Sequence, residues 1–317
     1  MTYLRATGAH LPSRVLTSEE TSALCGIAAD YFPKVSGIHE RRIADDDTTV
    51  VDMGVAAARE AMQRAHLKAR NIGAIVVTTG TSGRAFPGPA ATIAHELGVH
   101  ASPAFDVPMA SAGGIFAICL ADTLASRYGH VLAIATEKMS PVSLHEPYER
   151  SVAGLFGDGA GACIISREAA PPRSTTITAR ITATALHSEG AHANQLWLSH
   201  DGLLKMNGRS VISNATQRVS EVIREVMKAT ETRADEVAAF LMHQANLHVL
   251  HRIARALHVE EGRFFANIDR YGNTSSASLL IALHEWLTDE PHEKDDKFVL
   301  AGFGAGYHWG AAMLQME

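Results

Sequence analysis

Three residues, Ser111, His243 and Asn273, stand where their side chains could meet a ligand. In FDVPMASAGGIFAICLADTLASRYG (105–129) an apolar approach ends at 106–108, small residues follow, and a long amphipathic helix is expected from about Ser111. At a helix N-terminus free N–H groups and the positive end of the dipole favour developing negative charge, and Ala110, Ala112, Gly113 and Gly114 leave room for a substrate. Serine is also a common N-cap, so taken alone Ser111 reads as a capping residue. His243 opens the segment HQAN after a strand expected over 239–242, where a ligand crevice opens in an α/β sheet. Asn273 lies in the turn YGNT (271–274), ahead of a helix expected from about 275. Near the C-terminus AGFGAGYHWGAAMLQM (301–316) reads as a strand, a Gly-rich turn at Gly302, Gly304 and Gly306, and another apolar strand, a layout that lets a ligand approach the backbone closely.

These positions need a scaffold. Short apolar runs at 74–79, 131–136, 161–166, 239–242 and 298–301 read as buried strands. Helical spacing of apolar residues marks 50–65, 89–97, 111–126, 210–229, 247–257 and 275–288. Buried strands alternating with helices predict an α/β fold. A polar, Pro-containing stretch at 167–176 predicts an internal boundary between halves of 1–170 and 171–317, although no sequence repeat links them.

Composition narrows the function. With 317 residues, 46% of them hydrophobic, the chain can bury a large core without staples. A net charge of −6 with no basic block argues against nucleic acid or an anionic membrane as main partner, and no apolar run approaches the length that spans a bilayer, so a cytoplasmic location is expected. Cys25, Cys119 and Cys163 are far apart and read as reduced thiols; no pair of residues has metal-ligand spacing, and no metal is expected.

Together SGIHERRIA (36–44), AFPGPAATIAHELG (85–98), the Ser111 segment, LFGDGAGACII (155–165), HQAN (243–246), NIDRYGNTSSAS (267–278) and GFGAGYHWGA (302–311) resemble the β-ketoacyl-ACP synthase III family of thiolase-fold condensing enzymes. The resemblance runs over nearly the whole chain. It implies a five-layered αβαβα fold of two similar halves, a homodimer, and a catalytic triplet matched here by Ser111, His243 and Asn273. It also implies acyl-CoA as substrate with no permanently bound cofactor, and an acyl carrier protein as partner. The N–H groups of Ser111 and Gly304 are then expected to form the oxyanion hole, and Phe86 to lie at the dimer interface beside the acyl pocket.

The chain departs from the family in places. The family nucleophile is a cysteine, and Ser111 occupies its position. A helix dipole worth ~0.3–1 kcal/mol helps ionise a thiol but cannot make an alkoxide. A general base is therefore required, and a Ser111–His243 dyad is predicted, with Asn273 binding the substrate. Cys119, more than two helical turns further on, is too far along to be a displaced nucleophile. Carrier docking falls to His248, where the family commonly has Arg, and to Arg252 and Arg255. At the coenzyme A mouth Tyr31 and Val35 replace a Trp and an Arg, while Arg150 matches a family position, and Asn246 joins Tyr31 and Arg150 as an expected cofactor contact. The leading expectation is acyl loading on Ser111 followed by decarboxylative condensation with a malonyl carrier protein, initiating a fatty-acid or polyketide chain. The alternatives are acyl transfer to a hydroxyl, amine or carrier thiol without condensation, a non-catalytic subunit, and an engineered Cys-to-Ser variant.

Overall fold

The computed structural model describes residues 1–146, 148, 151–170, 178–199 and 202–317. The chain begins with β1 (Thr2–His10), β2 (Arg14–Thr17), α1 (Ser18–Leu24), α2 (Tyr31–Ser36) and β3 (Glu40–Ile43). It continues through α3 (Val50–Arg64), β4 (Ile72–Thr78), α4 (Ala90–Glu96), β5 (Ala104–Val107), α5 (Gly113–Tyr128), β6 (His130–Glu137), α6 (Ser140–Ser143) and β7 (Gly159–Ser166). After the boundary stretch, whose residues 171–176 lie outside the described residues, come β8 (Ala179–Ser188), β9 (Leu196–Leu198), β10 (Leu204–Met206), α7 (Gly208–Ala229), β11 (Val237–Met242) and α8 (Leu247–Leu257). The chain closes with β12 (Phe264–Phe265), α9 (Ile268–Tyr271), α10 (Ala277–Asp289), β13 (Lys297–Gly304) and β14 (His308–Met316).

Ten strands run in the order β12-β11-β13-β14-β8-β1-β7-β6-β4-β5. Read inward from either end, β5-β4-β6-β7-β1 and β12-β11-β13-β14-β8 pair in the same way, parallel twice and then antiparallel twice. The duplication that no sequence repeat announces is thus present in the topology. The runs meet where β1 pairs antiparallel with β8.

Apolar alternation builds the layers. Ala74 and Val76 of β4 enter a central core with α5 and α10, while Ile75 and Val77 enter an outer core with α3 and α4. In β13, Phe298 and Leu300 face the same central core and Val299 and Ala301 a second outer core with α7 and α8. Two faces buried on every central strand explain why those strands read as unbroken apolar runs. Three helical layers interleave with two sheet layers, the αβαβα arrangement that the motifs imply. Strands β1 and β8 escape the sequence reading because they mix polar and small residues with few apolar ones, and β5 because it is only four residues long.

The helices expected from 111 and 275 begin two residues later, at Gly113 and Ala277. The cause is the same in both: Ser111 (φ 59°) and Ser275 (φ 49°) hold left-handed conformations that cannot continue into a right-handed helix. The glycine turn is also shorter than expected. Gly302 and Gly304 lie inside β13, and only Gly306 (φ 77°) sits in the turn.

Candidate active site

Ser111 is not a capping serine, because the residue at the helix boundary is Ala112, which has no side-chain cap. The left-handed kink lifts Ser111 off the helix and leaves its Oγ free of capping duty. Such strain in a non-glycine residue costs about 1–3 kcal/mol and concentrates at functional sites. Beside it, a Cβ on Gly304 would fall 2.4 Å from the Ala110 carbonyl oxygen and 2.5 Å from the Ala112 nitrogen, so only glycine permits β13 to pass this close.

His243 follows β11, fixed by its N–H donating to the Ala301 carbonyl at 2.9 Å. Its Nδ1 lies 2.6 Å from Ser278 Oγ. Ser278 spends its single proton on the Ser275 carbonyl (3.0 Å) and accepts the Gln244 N–H (3.1 Å), so it meets the ring as an acceptor. This places the ring proton on Nδ1 and leaves the Nε2 lone pair for the cavity. Burial pushes His243 down to about 4, only partly countered by a hydrogen bond to the Ser275 backbone, so the ring is neutral at physiological pH.

Asn273 is held through both backbone groups: its N–H donates to the Leu155 carbonyl at 2.8 Å, and its carbonyl accepts from Gly157 at 3.2 Å. Its Oδ1 takes the Ser275 N–H at 2.8 Å, which leaves the amide NH2 as a donor. Ser275 reaches back to Ser111, its Oγ accepting the Ser111 N–H at 3.0 Å. The N–H expected to serve the oxyanion hole therefore already has a partner. Among the described residues no hydrogen bond joins Ser111 Oγ to His243.

A buried carboxyl underlies these serines. Glu137, at the end of β6, accepts from Ser276 Oγ (2.6 Å), Thr81 Oγ1 (2.7 Å) and the Gly80 N–H (3.0 Å). Burial raises it above the usual carboxylate range, against the pull of those hydrogen bonds. Sequence reasoning missed Ser275, Ser278 and Glu137; the readable signals were the serine run TSSAS and a lone acid closing an apolar strand.

Ser111, His243, Asn273, Gly304 and Asn246 line one cavity of about 170 Å³. Tyr31, Phe86, His248, Arg252 and Arg255 do not line it. Tyr31 packs edge-on against Phe32, and Phe86 is 87% exposed in the single chain. His248 Nε2 is 2.9 Å from the Lys34 carbonyl, while Arg252 and Arg255 border a surface groove between α7 and α8 with Arg209 and Arg224. Arg150 lies outside the described residues. No disulfide joins Cys25, Cys119 and Cys163; Cys119 and Cys163 are buried, and burial pushes the Cys163 thiol up to about 12, far from reactivity. Among the described residues no cluster suits a metal ion, and no helix is long and apolar enough to cross a membrane.

Two family descriptions match the chain: 3-oxoacyl-[acyl-carrier-protein (ACP)] synthase III over residues 105–190, which hold Ser111, and the C-terminal part of the same synthase over 227–316, which hold His243 and Asn273. The chain is 33% identical over 316 residues to the β-ketoacyl-[acyl-carrier-protein] synthase III of Aquifex aeolicus, covering 99% of each chain. The crystal structure of 3-oxoacyl-[acyl-carrier-protein] synthase III from Aquifex aeolicus superposes with a TM-score of 0.92 at 32% identity, covering 99% of this chain and 100% of that one. The priming β-ketosynthase of the R1128 polyketide biosynthetic pathway superposes with a TM-score of 0.90 at 29% identity, covering 99% of this chain and 96% of the other. With the similarity end to end and the fold in common, this chain belongs to the 3-oxoacyl-[acyl-carrier-protein] synthase III family.

Proposed function

We propose that this chain is a condensing enzyme that primes fatty-acid or polyketide synthesis: it takes an acyl group from acyl-CoA onto Ser111, then joins it to a malonyl unit on acyl carrier protein with loss of carbon dioxide. The observation that carries this reading is the convergence of Ser111, His243 and Asn273 on one cavity. Ser111 stands where the family has cysteine, so its hydroxyl needs a base. The Nε2 lone pair of a neutral His243 is the base available there. Ser275 Oγ holds the place of the oxyanion: the thioester oxygen displaces it from the Ser111 N–H as the tetrahedral intermediate forms. The proton on His243 then leaves with the coenzyme A thiol. In condensation the NH2 of Asn273 donates to the thioester oxygen as carbon dioxide departs.

Incubation with a panel of acyl-CoAs is expected to add one acyl mass at Ser111 by intact mass spectrometry, and malonyl carrier protein then to release carbon dioxide. Acylation without decarboxylation would favour transfer to another acceptor, and no acylation at all would sink both readings.

The same proposal places carrier docking at Arg252 and Arg255, whose groove presents the guanidiniums of Arg209 and Arg224 against the single carboxylate of Glu221. It treats 1–170 and 171–317 as the two halves, and the chain as a homodimer joined at β5, one of the two edge strands of the sheet. Phe105 on that strand is 41% exposed and Phe86 stands fully out, the kind of apolar edge that a partner covers. Light scattering should give twice the chain mass of 33.9 kDa; a species of 33.9 kDa would refute the dimer.

A further inference from the structure

A second cavity, of about 500 Å³, shares no lining residue with the one that holds Ser111. It opens where the two strand runs part, since the pairing of β1 with β8 ends at Leu4 and Ala179. Its floor is the buried stretch 4–7 of β1, and its rim includes Glu60, Gln63 and Arg64 of α3, His66 just beyond that helix, and Thr288 of α10. Arg5 in the floor is the extra residue of a β-bulge, standing between the pairs Leu4–Ile165 and Ala6–Ile164 that β1 makes with β7. Arg5 is only 6% exposed, yet among the described residues nothing accepts a hydrogen bond from its guanidinium, and its Nε is buried without a partner. The buried Arg41 shows what the fold supplies elsewhere, with four acceptors on its two Nη atoms.

The neighbouring carboxylates do not answer that charge. Glu168 attracts Arg5 across space only, its mostly exposed carboxylate pairing with Arg167 at 3.4 Å. Glu60, the one carboxylate of the lining among the described residues, is already held: it accepts the Ala9 N–H (2.9 Å) and Arg64 Nε (3.0 Å), and it lies 3.5 Å from His284 Nε2. A guanidinium stays charged, and a buried charge without an acceptor costs stability until an anion meets it. We infer that this cavity binds a small molecule through an oxyanion group, phosphate or carboxylate, which takes the fork of Arg5 while the rest of the molecule lies along Gln63, His66 and Thr288. The planar fork suits both groups, each offering two oxygens side by side. The volume falls within the ~300–1,000 Å³ usual for small-molecule sites and exceeds what a bare ion needs. The site stands apart from the acyl-transfer reading and does not depend on it.

Calorimetric titration with inorganic phosphate and, separately, with acetate, each against chloride at equal ionic strength, tells the two head groups apart. At least one of them is expected to bind saturably, and Arg5→Leu to weaken that binding about ten-fold or more, the loss of a charge-assisted hydrogen bond. In chloride alone the thermal midpoint of Arg5→Leu should equal or exceed that of the wild type, because leucine removes a buried charge that had no partner. The anion that binds should raise the wild-type midpoint and leave that of Arg5→Leu unchanged. Arg5→Lys keeps the charge without the fork and should show a weaker response of the same sign. A midpoint of Arg5→Leu below the wild type in chloride would show that Arg5 serves the fold and overturn the inference. So would the absence of saturable binding by either anion, or binding that Arg255→Ala removes and Arg5→Leu leaves intact, which would place the anion in the groove between α7 and α8.

Discussion

His243→Ala is expected to slow acylation of Ser111 by a factor of about 10²–10⁴, the usual contribution of a positioned general base. The reason lies in the hydroxyl: the convergent helix N-termini can stabilise an anion but cannot remove the proton of an alcohol. Intact-mass kinetics with one acyl-CoA measures it, and acylation at the wild-type rate would refute the dyad. The pH dependence follows from burial. His243 acts as a base only when neutral, and its value of about 4 keeps it neutral through the physiological range. Wild-type acylation should therefore be level from pH 8 to about 5 and fall only towards 4; a bend near 6.5 would show that the ring is solvated. Stability carries the matching sign. The unfolded chain takes up a proton near 6.5 while the folded ring resists it until about 4, so folding stability is full above 6.5 and declines as pH falls through that window.

Arg41→Leu is expected to destabilise the protein by about 3 kcal/mol without touching the reacting groups. The Arg41 side chain is buried, its Nη1 donating to the Leu16 carbonyl and Thr21 Oγ1 (each 3.1 Å) and its Nη2 to Ser18 Oγ (3.1 Å) and the Gly154 carbonyl (2.7 Å). Burial lowers it to about 10, still well above neutral pH, so the charge persists and ties β2 and α1 to the segment leading into β7. Leucine fills the space but leaves two carbonyls and two hydroxyls without their donor, a loss that exceeds the relief of removing a buried charge. Urea denaturation measures the difference, and a loss under about 1 kcal/mol would mean that water takes the place of the guanidinium.

The sequence made some of this architecture legible and hid the rest for physical reasons. The central strands and long helices could be read because burial on two faces, or on one helical stripe, leaves a periodic mark. His243 could be placed at a strand end because β11 is such a strand. Ser111 was placed two residues wrong, at the helix start, since nothing local announces a left-handed serine; the kink is held from across the molecule by Ser275 and the close passage of Gly304. The motif residues also divide in a way that letters do not show. Asp158 of FGDG accepts from Ser140 and the Ala44 N–H, and so serves the scaffold, not the cavity. Tyr31 and Phe86 could be named only by resemblance, and the single chain brings neither to the cavity.

Ser111 and Ser275 occupy equivalent places, each two residues before the first helical residue of α5 and α10, and each left-handed. The internal duplication of the sheet thus extends to the backbone before each central helix, and it brings the two left-handed residues within a hydrogen bond of one another. Both line the cavity, and Ser275 Oγ in addition holds the N–H of Ser111, so a change at either hydroxyl is felt at the other.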